Sequence, residues 1–337
     1  GEAEPPQPKL CGVPMKWVSL LALTLQTSGQ ALLIKWSKAA QVDERDRYLS
    51  STAVFFTEIV KAVTSLTLVI LESGGVKPAA EALQRNFMQS PPELMKAAVP
   101  SLIYTVQNNL MFYSFEKLSA PVQQVMYQMK VVTTAGIGVL MLGKSLSNTK
   151  WIACFLLAAG VAMVQWPRHG AGLESFGSDH VKGFVAVLMA CCTSGFAGVW
   201  IQKMLQQTSA SIWMRNVQLA SFGTVTSIFV AMVQDGEEIA NGGLCQGYNR
   251  RVVSVILMTA FGGLLCAVML KYAGATHGCF STAMSIILTC ILSEAFIGDF
   301  VPDGLFVLGT VVAISASLLF ALGLPEWVLT ASGRALK

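Results

Sequence analysis

Apolar segments of about twenty residues recur along the whole chain, and they constrain its fold more than any other feature. A helix that crosses a bilayer needs about 20 consecutive, mainly apolar residues. Ten segments meet this requirement: 17–36, 50–72, 95–116, 121–143, 148–166, 183–206, 210–233, 251–273, 277–298 and 302–323. We therefore predict an all-α integral membrane protein with ten transmembrane helices.

The composition and the links between these segments favour a single membrane domain. Hydrophobic residues make up 53% of the chain and charged residues 12%, whereas soluble domains usually carry about 25% charged residues. The longest links, 73–94, 167–182 and 234–250, leave little room for a soluble catalytic domain. We expect one domain over 17–323, with a flexible tail at 1–16 and another at 324–337.

Ten crossings divide into two halves of five, 17–166 and 183–323. Because five is odd, equivalent halves have opposite topology, which is the inverted-repeat arrangement of many secondary transporters. Lysine and arginine residues outside the helices are more numerous on the side of the termini. The positive-inside rule then places both termini in the cytosol.

Several kinds of site are not expected. Gly138–Ser145 (GVLMLGKS) fits the P-loop pattern. Its inner residues are large and apolar, however, so we interpret it as the end of a membrane helix. The eight cysteines form no CxxC pair, and the net charge of +4 is scattered. We predict no metal site, no cofactor, no nucleic-acid partner and no enzyme active site.

Ionisable and amide groups within the apolar segments are the candidate functional residues, because such groups usually face a cavity or a partner. Glu58 and Lys61 are three residues apart on one helical face and could pair with each other. Gln107, Asn108 and Asn109 are consecutive, so they cannot all face lipid. A cavity-facing role and interhelical hydrogen bonding both remain open for them.

Lys130 is the most informative of these residues. It lies in the middle of its segment, too deep to extend comfortably to the membrane surface, and no carboxylate lies in the same segment. A buried ammonium group needs an anionic partner or loses its proton. That partner could be an anionic substrate, such as a phosphate-bearing metabolite, or Glu58 on another helix.

Other candidates carry weaker signals. The small residues around Ser194 and Gly195 suit close helix packing. Arg215 and Asn216 follow a helix start, and Lys271 lies near a helix end, where both basic side chains could extend to the membrane surface. The tyrosines Tyr104, Tyr127 and Tyr272 could stack on a base or pack in the core.

Four stretches resemble the nucleotide-sugar transporters of the Golgi: AVPSLIYTVQNNLMFY, VMYQMKVVTTAGIGVLMLGKSLS, TSGFAGVWIQKML and SIWMRNVQL. The resemblance is to the group of UDP-N-acetylglucosamine, UDP-galactose and CMP-sialic acid transporters. The motifs RYLSSTAV, VQWP, QGYNR and DFVP are most similar to the UDP-N-acetylglucosamine members. The resemblance implies a drug/metabolite transporter fold with two inverted five-helix repeats and a central cavity.

The resemblance also implies roles for single residues. Lys130 matches the lysine that meets the phosphate, and Tyr127 precedes it as in the family motif. The amides near the nucleotide match Gln107 and Asn108, and the acidic–basic pair of the second helix matches Glu58 and Lys61. Polar residues that line the cavity from the other half match Ser194 and Asn216.

The chain departs from the family pattern at three places. Gln123 replaces a tyrosine seven residues before the motif lysine, and Gln202 replaces a glutamate. The segment KYAGATHGCF, residues 271–280, keeps Lys271 but lacks the Asp, the Asn and the second Lys of the family segment. His277 could partly replace that lysine, or it could be a loop residue. These changes leave the sugar preference open.

The expected function is a nucleotide-sugar antiporter of the Golgi or ER membrane, which imports UDP-N-acetylhexosamine in exchange for UMP. Its expected partners are the nucleotide sugar, the nucleoside monophosphate and membrane lipid, and a homodimer is an open possibility. The alternatives are a CMP-sialic acid or multi-substrate exchanger, a non-nucleotide drug/metabolite exporter, and a non-transporting scaffold.

Overall fold

The protein is built almost entirely of α-helices. The computed structural model describes residues 9–10, 12–39, 47–88, 91–143, 145–164, 178–205, 211–296, 298 and 302–323. Within these ranges, the extended structure is one short antiparallel ladder between Lys9–Leu10 (β1) and Val13–Pro14 (β2). The prediction of an all-α protein is confirmed apart from this ladder.

Thirteen helices are present in the described residues. In chain order they are α1 (Met15–Ala39), α2 (Ser50–Glu72), α3 (Val76–Met88), α4 (Pro91–Lys117), α5 (Ala120–Tyr127), α6 (Lys130–Leu142), α7 (Asn148–Val164), α8 (Ser178–Leu205), α9 (Ile212–Gln234), α10 (Gly236–Gly242), α11 (Arg250–Tyr272), α12 (Gly274–Phe296) and α13 (Gly304–Leu322). We refer to α1–α7 as the first half and to α8–α13 as the second half.

Five helices in the described part of the chain are long and apolar enough to cross a membrane. They are α1, α2, α8, α9 and α13. A helix also lies at each of the other five predicted segments, but the fourth segment is divided into α5 and α6. These two pieces have eight and 13 residues, so neither could cross a membrane alone. Ten crossings therefore remain a prediction.

Two helices lie in links that the sequence predicts to be polar connections. Helix α3 lies between α2 and α4, and α10 lies between α9 and α11. One face of α3 packs on α9, where its buried Ala79 joins Met214 and Val217 in a small apolar cluster. Its opposite face is exposed. An amphipathic helix of this kind contains no long apolar run, so a search for apolar runs misses it.

The two halves are packed closely against each other, and small residues allow this packing. Helix α7 lies on α13, α2 lies on α9, and α4 lies on α8 and α9. Gly160 and Gly309 meet where α7 contacts α13. A methyl group at Gly309 would lie 2.7 Å from the carbonyl oxygen of Gly160. Such close backbone approach is a common way to stabilise helix pairs in membranes.

Aromatic residues join the two halves at one end of the helix bundle. Tyr248 comes just before α11, and its hydroxyl donates a hydrogen bond to Thr52 of α2 at 3.0 Å. Its ring packs edge-to-face against Tyr48 and Phe56. Burial raises the pKa of Tyr48 to about 12, so its hydroxyl stays protonated at physiological pH. We call Tyr48, Thr52, Phe56 and Tyr248 the distal cluster.

The end of α6 agrees with the interpretation of the P-loop-like sequence as a helix end. Helix α6 ends at Leu142, and Gly143 follows with φ of 63°, a left-handed conformation that favours glycine. Its N–H donates to the carbonyl oxygen of Val139 at 3.1 Å. Gly138 lies inside the helix. Lys144 lies outside the described residues.

Candidate functional site

A break in the fourth predicted helix places Lys130 at the start of α6. The residues between α5 and α6, Gln128 and Met129, donate their backbone N–H groups to carbonyls three residues earlier, as in a tight 3₁₀ turn. The sequence here contains no proline or glycine. The backbone of Gln128 and Met129 stays in the right-handed helical region, so the break is a local tightening of the helix, and α8 packs against it.

Helix α8 holds this turn from the other half of the chain. The Cys191 thiol lies 3.6 Å from the carbonyl oxygen of Tyr127. The Thr133 hydroxyl donates to the carbonyl oxygen of Cys191 at 2.8 Å. A methyl group at Gly195 would lie 2.9 Å from the backbone nitrogen of Thr134, so glycine is needed for this approach. The small residues around Ser194 and Gly195 thus have the packing role that their size favours.

Three side chains from three helices form a hydrogen-bond chain beside the turn. Gln107 of α4 donates through Nε2 to the Tyr127 hydroxyl oxygen at 2.9 Å. The Tyr127 hydroxyl in turn donates to Ser194 Oγ of α8 at 3.1 Å. The structure therefore brings together three residues that the sequence places 20 and 67 positions apart.

The positive charge of Lys130 is not balanced by a carboxylate in the described part of the chain. Its Nζ lies 4.8 Å from the centre of the Tyr127 ring, at cation–π distance. No Asp or Glu oxygen of the described residues lies within 4 Å of it. The thiols of Cys191 and of Cys266 on α11 lie near the ammonium group. A bound anion could supply the missing negative charge.

Glu58 pairs with Lys61 and does not neutralise Lys130. The Lys61 ammonium donates to both carboxylate oxygens of Glu58, at 2.8 and 3.0 Å. Glu58 is 3% exposed and lies against Gly223 of α9. The expected pair on one helical face is present, and the alternative pair between Glu58 and Lys130 is not.

Buried glutamines of α4 and α5 present amide oxygens without partners in the described residues. They are Oε1 of Gln107, Gln123 and Gln124. The amide nitrogens of Gln123 and Gln124 are occupied, by Met111 Sδ at 3.2 Å and by the carbonyl oxygen of Thr27 at 3.3 Å. Each oxygen can accept a hydrogen bond from an N–H or O–H group of a ligand or a water molecule.

The remaining predicted site residues are placed differently. Asn108 and Tyr104 are half-buried on α4, and Tyr104 lies near Cys266. Asn216 donates through Nδ2 to the carbonyl oxygen of Ile212 in its own helix, at 3.1 Å, and does not join the hydrogen-bond chain. The side chains of Lys271, His277, Tyr272 and Gln202 lie outside the described part of the structure.

Two residues differ from their sequence-based interpretation. Arg215 does not extend to the membrane surface: it is 3% exposed and donates to Gln218 Oε1 at 2.8 Å. Cys266, which the sequence does not single out, lies near both Lys130 and Tyr104. A cysteine within an apolar run reads as a packing residue, so no sequence signal indicated this position.

Comparisons with known proteins cover almost the whole chain. The sequence model of the nucleotide-sugar transporter family matches residues 12–321. A UDP-N-acetylglucosamine transporter of Rattus norvegicus is 41% identical, over 91% of this chain and 95% of the relative. A UDP-N-acetylglucosamine/UDP-N-acetylgalactosamine transporter of Caenorhabditis elegans is 39% identical, over 91% and 93%. A UDP-galactose translocator of Canis lupus familiaris is 38% identical, over 96% and 81%.

The fold also occurs in a solved structure. A crystal structure of a protein with 15% sequence identity superposes with a TM-score of 0.52 and covers 91% of this chain and 96% of the other. At that identity the similarity concerns the fold alone. The family match and the 38–41% identity to relatives also show to which protein family the chain belongs. The chain belongs to the nucleotide-sugar transporter family.

Proposed function

We propose that this protein is an antiporter that imports a UDP-N-acetylhexosamine into the Golgi lumen in exchange for UMP. UDP-N-acetylglucosamine is the first candidate substrate, and UDP-N-acetylgalactosamine and UDP-galactose are further candidates. The names of the relatives from rat, worm and dog support this set of UDP-sugars. Membership of a transporter family favours transport over catalysis.

The observation that carries the proposal is the charge of Lys130. Its ammonium group has no carboxylate partner within 4 Å among the described residues, although it lies midway along the broken helix. An unpaired charge at this depth is costly unless a ligand neutralises it. A phosphate group of the nucleotide would provide that charge, and the amide oxygens of Gln107 and Gln123 could accept hydrogen bonds from other parts of it.

The transport cycle that we propose is alternating access. Ten helices would cross the membrane as two inverted repeats of five, and both termini would lie in the cytosol. The nucleotide would bind between the two repeats. The two halves would rock around the bound nucleotide. An empty protein would have to rearrange around the unneutralised Lys130, which is slower than rearranging around a bound anion. This difference would make exchange obligatory.

A counterflow assay tests the proposal. Purified full-length protein is placed in liposomes loaded with UMP, and uptake of labelled UDP-N-acetylglucosamine is followed. External UMP, CMP, GMP and UDP-N-acetylgalactosamine serve as competitors, and liposomes without UMP are the control. We expect uptake that requires internal UMP and that external UMP blocks.

The other functions predict different results in this assay and in a measurement of UDP-N-acetylglucosamine binding to the purified protein. Equal competition by CMP would indicate a CMP-sialic acid or multi-substrate exchanger. Absence of both uptake and binding of UDP-N-acetylglucosamine, with no nucleoside monophosphate bound either, would indicate a non-nucleotide exporter. Binding of UDP-N-acetylglucosamine without any counterflow would indicate a scaffold. Each of these outcomes would replace the proposed activity.

A further inference from the structure

A row of hydroxyl groups that the proposed function does not use lies on one face of α12. Ser281, Ser285 and Thr289 are four residues apart, so their side chains lie on the same side of the helix. All three are buried, with exposed fractions of 3%, 0% and 0%. Helix α1 of the first half packs against α12 of the second half, and hydroxyl groups of α1 contact part of this row.

Two hydroxyl residues of α1 join the two helices. The Thr24 hydroxyl lies 3.0 Å from the Ser281 hydroxyl oxygen. One turn further along α1, Ser28 Oγ donates to the carbonyl oxygen of Ser285 at 2.9 Å. Ser28 is 1% exposed, so water does not compete for this bond. Because lipid provides no hydrophobic force between helices, such hydrogen bonds help to hold the two halves together.

The Thr289 hydroxyl has no hydrogen-bond partner in the described residues, although it is fully buried. A threonine inside a helix commonly donates to the carbonyl oxygen four residues earlier. The buried Thr57 of α2 does so, to the carbonyl oxygen of Ala53 at 2.8 Å. The corresponding carbonyl for Thr289 is that of Ser285, to which Ser28 of α1 already donates.

Both acceptor positions of the Ser285 carbonyl oxygen are occupied. A carbonyl oxygen has two lone pairs. One accepts the backbone N–H of Thr289, four residues later in the same α-helix, and the other accepts the Ser28 hydroxyl. The hydroxyls of Ser28 and Thr289 therefore compete for one acceptor position. An unpartnered buried hydroxyl is costly, so Thr289 gains a partner when Ser28 leaves.

We propose that the Ser285 carbonyl is a shared acceptor that allows α1 to separate from α12 during transport. While α1 is in contact, Ser28 donates to this carbonyl and Thr289 has no partner among the described residues. When α1 moves away, Thr289 donates to the same carbonyl, so α12 exchanges one hydrogen bond for another. The inference rests on the proposed function, because alternating access requires contacts between the halves to break and form again. Thr289 then affects the rate of the conformational change and not nucleotide binding.

A double-mutant cycle on the purified full-length protein tests the shared acceptor without transport. The measured quantity is the melting temperature in detergent. Ser28→Ala alone should change it little, because Thr289 takes the acceptor position that becomes free. Thr289→Val should raise it slightly, because the unpartnered hydroxyl is removed. In the Thr289→Val background, Ser28→Ala should lower it clearly, because no hydroxyl can replace the lost bond.

Counterflow of UMP against UDP-N-acetylglucosamine tests the role in transport. Thr289→Val should lower the maximal rate of uptake about tenfold, because the separated state loses a hydrogen bond, and UMP binding should not change. Thr289→Ser keeps the hydroxyl and should retain the rate. Thr67→Val is the matched control, because the exposed Thr67 of α2 donates to a carbonyl of its own helix, that of Val63, at 2.9 Å. Its uptake should be normal.

The possible results are distinguishable. An equal effect of Ser28→Ala on the melting temperature in both backgrounds would show that the two hydroxyls do not share an acceptor, and would overturn the inference. A normal rate of uptake by folded Thr289→Val protein, or weakened UMP binding by it, would overturn the role in transport. Absence of exchange in the wild type would instead contradict the proposed function, and the melting temperatures would still decide whether the acceptor is shared.

Discussion

At the scale of single residues, two half-buried lysines in the predicted membrane segments differ in whether a carboxylate lies beside the ammonium group. Lys61 donates to both oxygens of Glu58, so that pair is neutral as a unit. Lys130 has an aromatic ring and two thiols near it, but no carboxylate within 4 Å in the described ranges. A ligand anion is therefore expected to bind at Lys130, and the Glu58–Lys61 pair is expected to support the structure.

Replacing Lys130 with alanine should abolish exchange without unfolding the protein. The substitution removes a charge that has no ion-pair partner among the described residues, so it leaves no carboxylate unpaired. Counterflow of UMP against UDP-N-acetylglucosamine measures the loss, and the melting temperature in detergent checks the fold. Lys77→Ala, at an exposed position of α3, is the matched control. Near-normal uptake by folded Lys130→Ala protein would contradict the role of this lysine.

Replacing Glu58 with glutamine should destabilise the protein instead. Glu58 is buried, and the change leaves the Lys61 ammonium without its counter-charge. Removing one member of a buried pair typically costs about 3–5 kcal/mol, and the partial exposure of Lys61 reduces this to roughly 2 kcal/mol. A lower melting temperature in detergent would report the loss. The double variant Glu58→Gln/Lys61→Met should recover part of it, and no recovery would argue against the pair as the cause.

At the scale of secondary structure elements, glycines decide how closely helices of the two halves approach. Gly160 and Gly309 bring the backbones of α7 and α13 into contact, and Gly195 brings α8 against α6. A side chain at these positions would meet backbone atoms, which cannot move aside as the end of a flexible side chain can. The glycines of α6 are different, because in the described structure Gly138 has no neighbour within 4 Å of an added methyl group.

Gly309→Ala should therefore destabilise the protein, whereas Gly138→Ala should not. The new methyl group at Gly309 would lie 2.7 Å from the carbonyl oxygen of Gly160 and 2.9 Å from the backbone nitrogen of Val164. Overpacking of this kind costs about 1–3 kcal/mol. Alanine at Gly138 gains about 1 kcal/mol of helix propensity at no steric cost. Thermal melting in detergent compares them, and equal melting temperatures would argue against close α7–α13 packing.

At the scale of the whole molecule, the positions of the helices were largely predictable and the details of the site were not. Apolar segments of membrane length indicated all ten helical regions, because burial in lipid imposes a long apolar run. Helices α3 and α10 were missed because one is amphipathic and the other is only one to two turns long. The break before Lys130 was missed because it is a local 3₁₀ tightening, and no proline or glycine marks it in the sequence between α5 and α6.

In the candidate site as well, features within one helix could be predicted, and contacts between helices could not. The depth of Lys130 and the pairing of Glu58 with Lys61 could be inferred from spacing along one helix. The hydrogen-bond chain from Gln107 through Tyr127 to Ser194 could not, because it needs three helices in defined positions. The roles of these residues toward a nucleotide stay predictions until binding is measured.

The membrane orientation can be tested with native cysteines. Cys245 is exposed in the segment between α10 and α11, and Cys11 belongs to the N-terminal tail. With an even number of crossings and cytosolic termini, Cys245 lies in the lumen and Cys11 in the cytosol. In variants that keep only one of the two cysteines, an impermeant maleimide should label Cys11 in sealed Golgi vesicles. It should label Cys245 only after permeabilisation, and the reverse pattern would invert the proposed orientation.

The distal cluster would make inhibition depend on the side of the membrane to which a compound is applied. Tyr248 of the second half packs among Tyr48, Thr52 and Phe56 of the first half, so the two halves are in contact at this end of the bundle. An inhibitor that binds the distal cluster would reach it only from the compartment that this end of the helix bundle faces. A compound that cannot cross membranes would then block the protein when applied to that compartment and be inert when applied to the other.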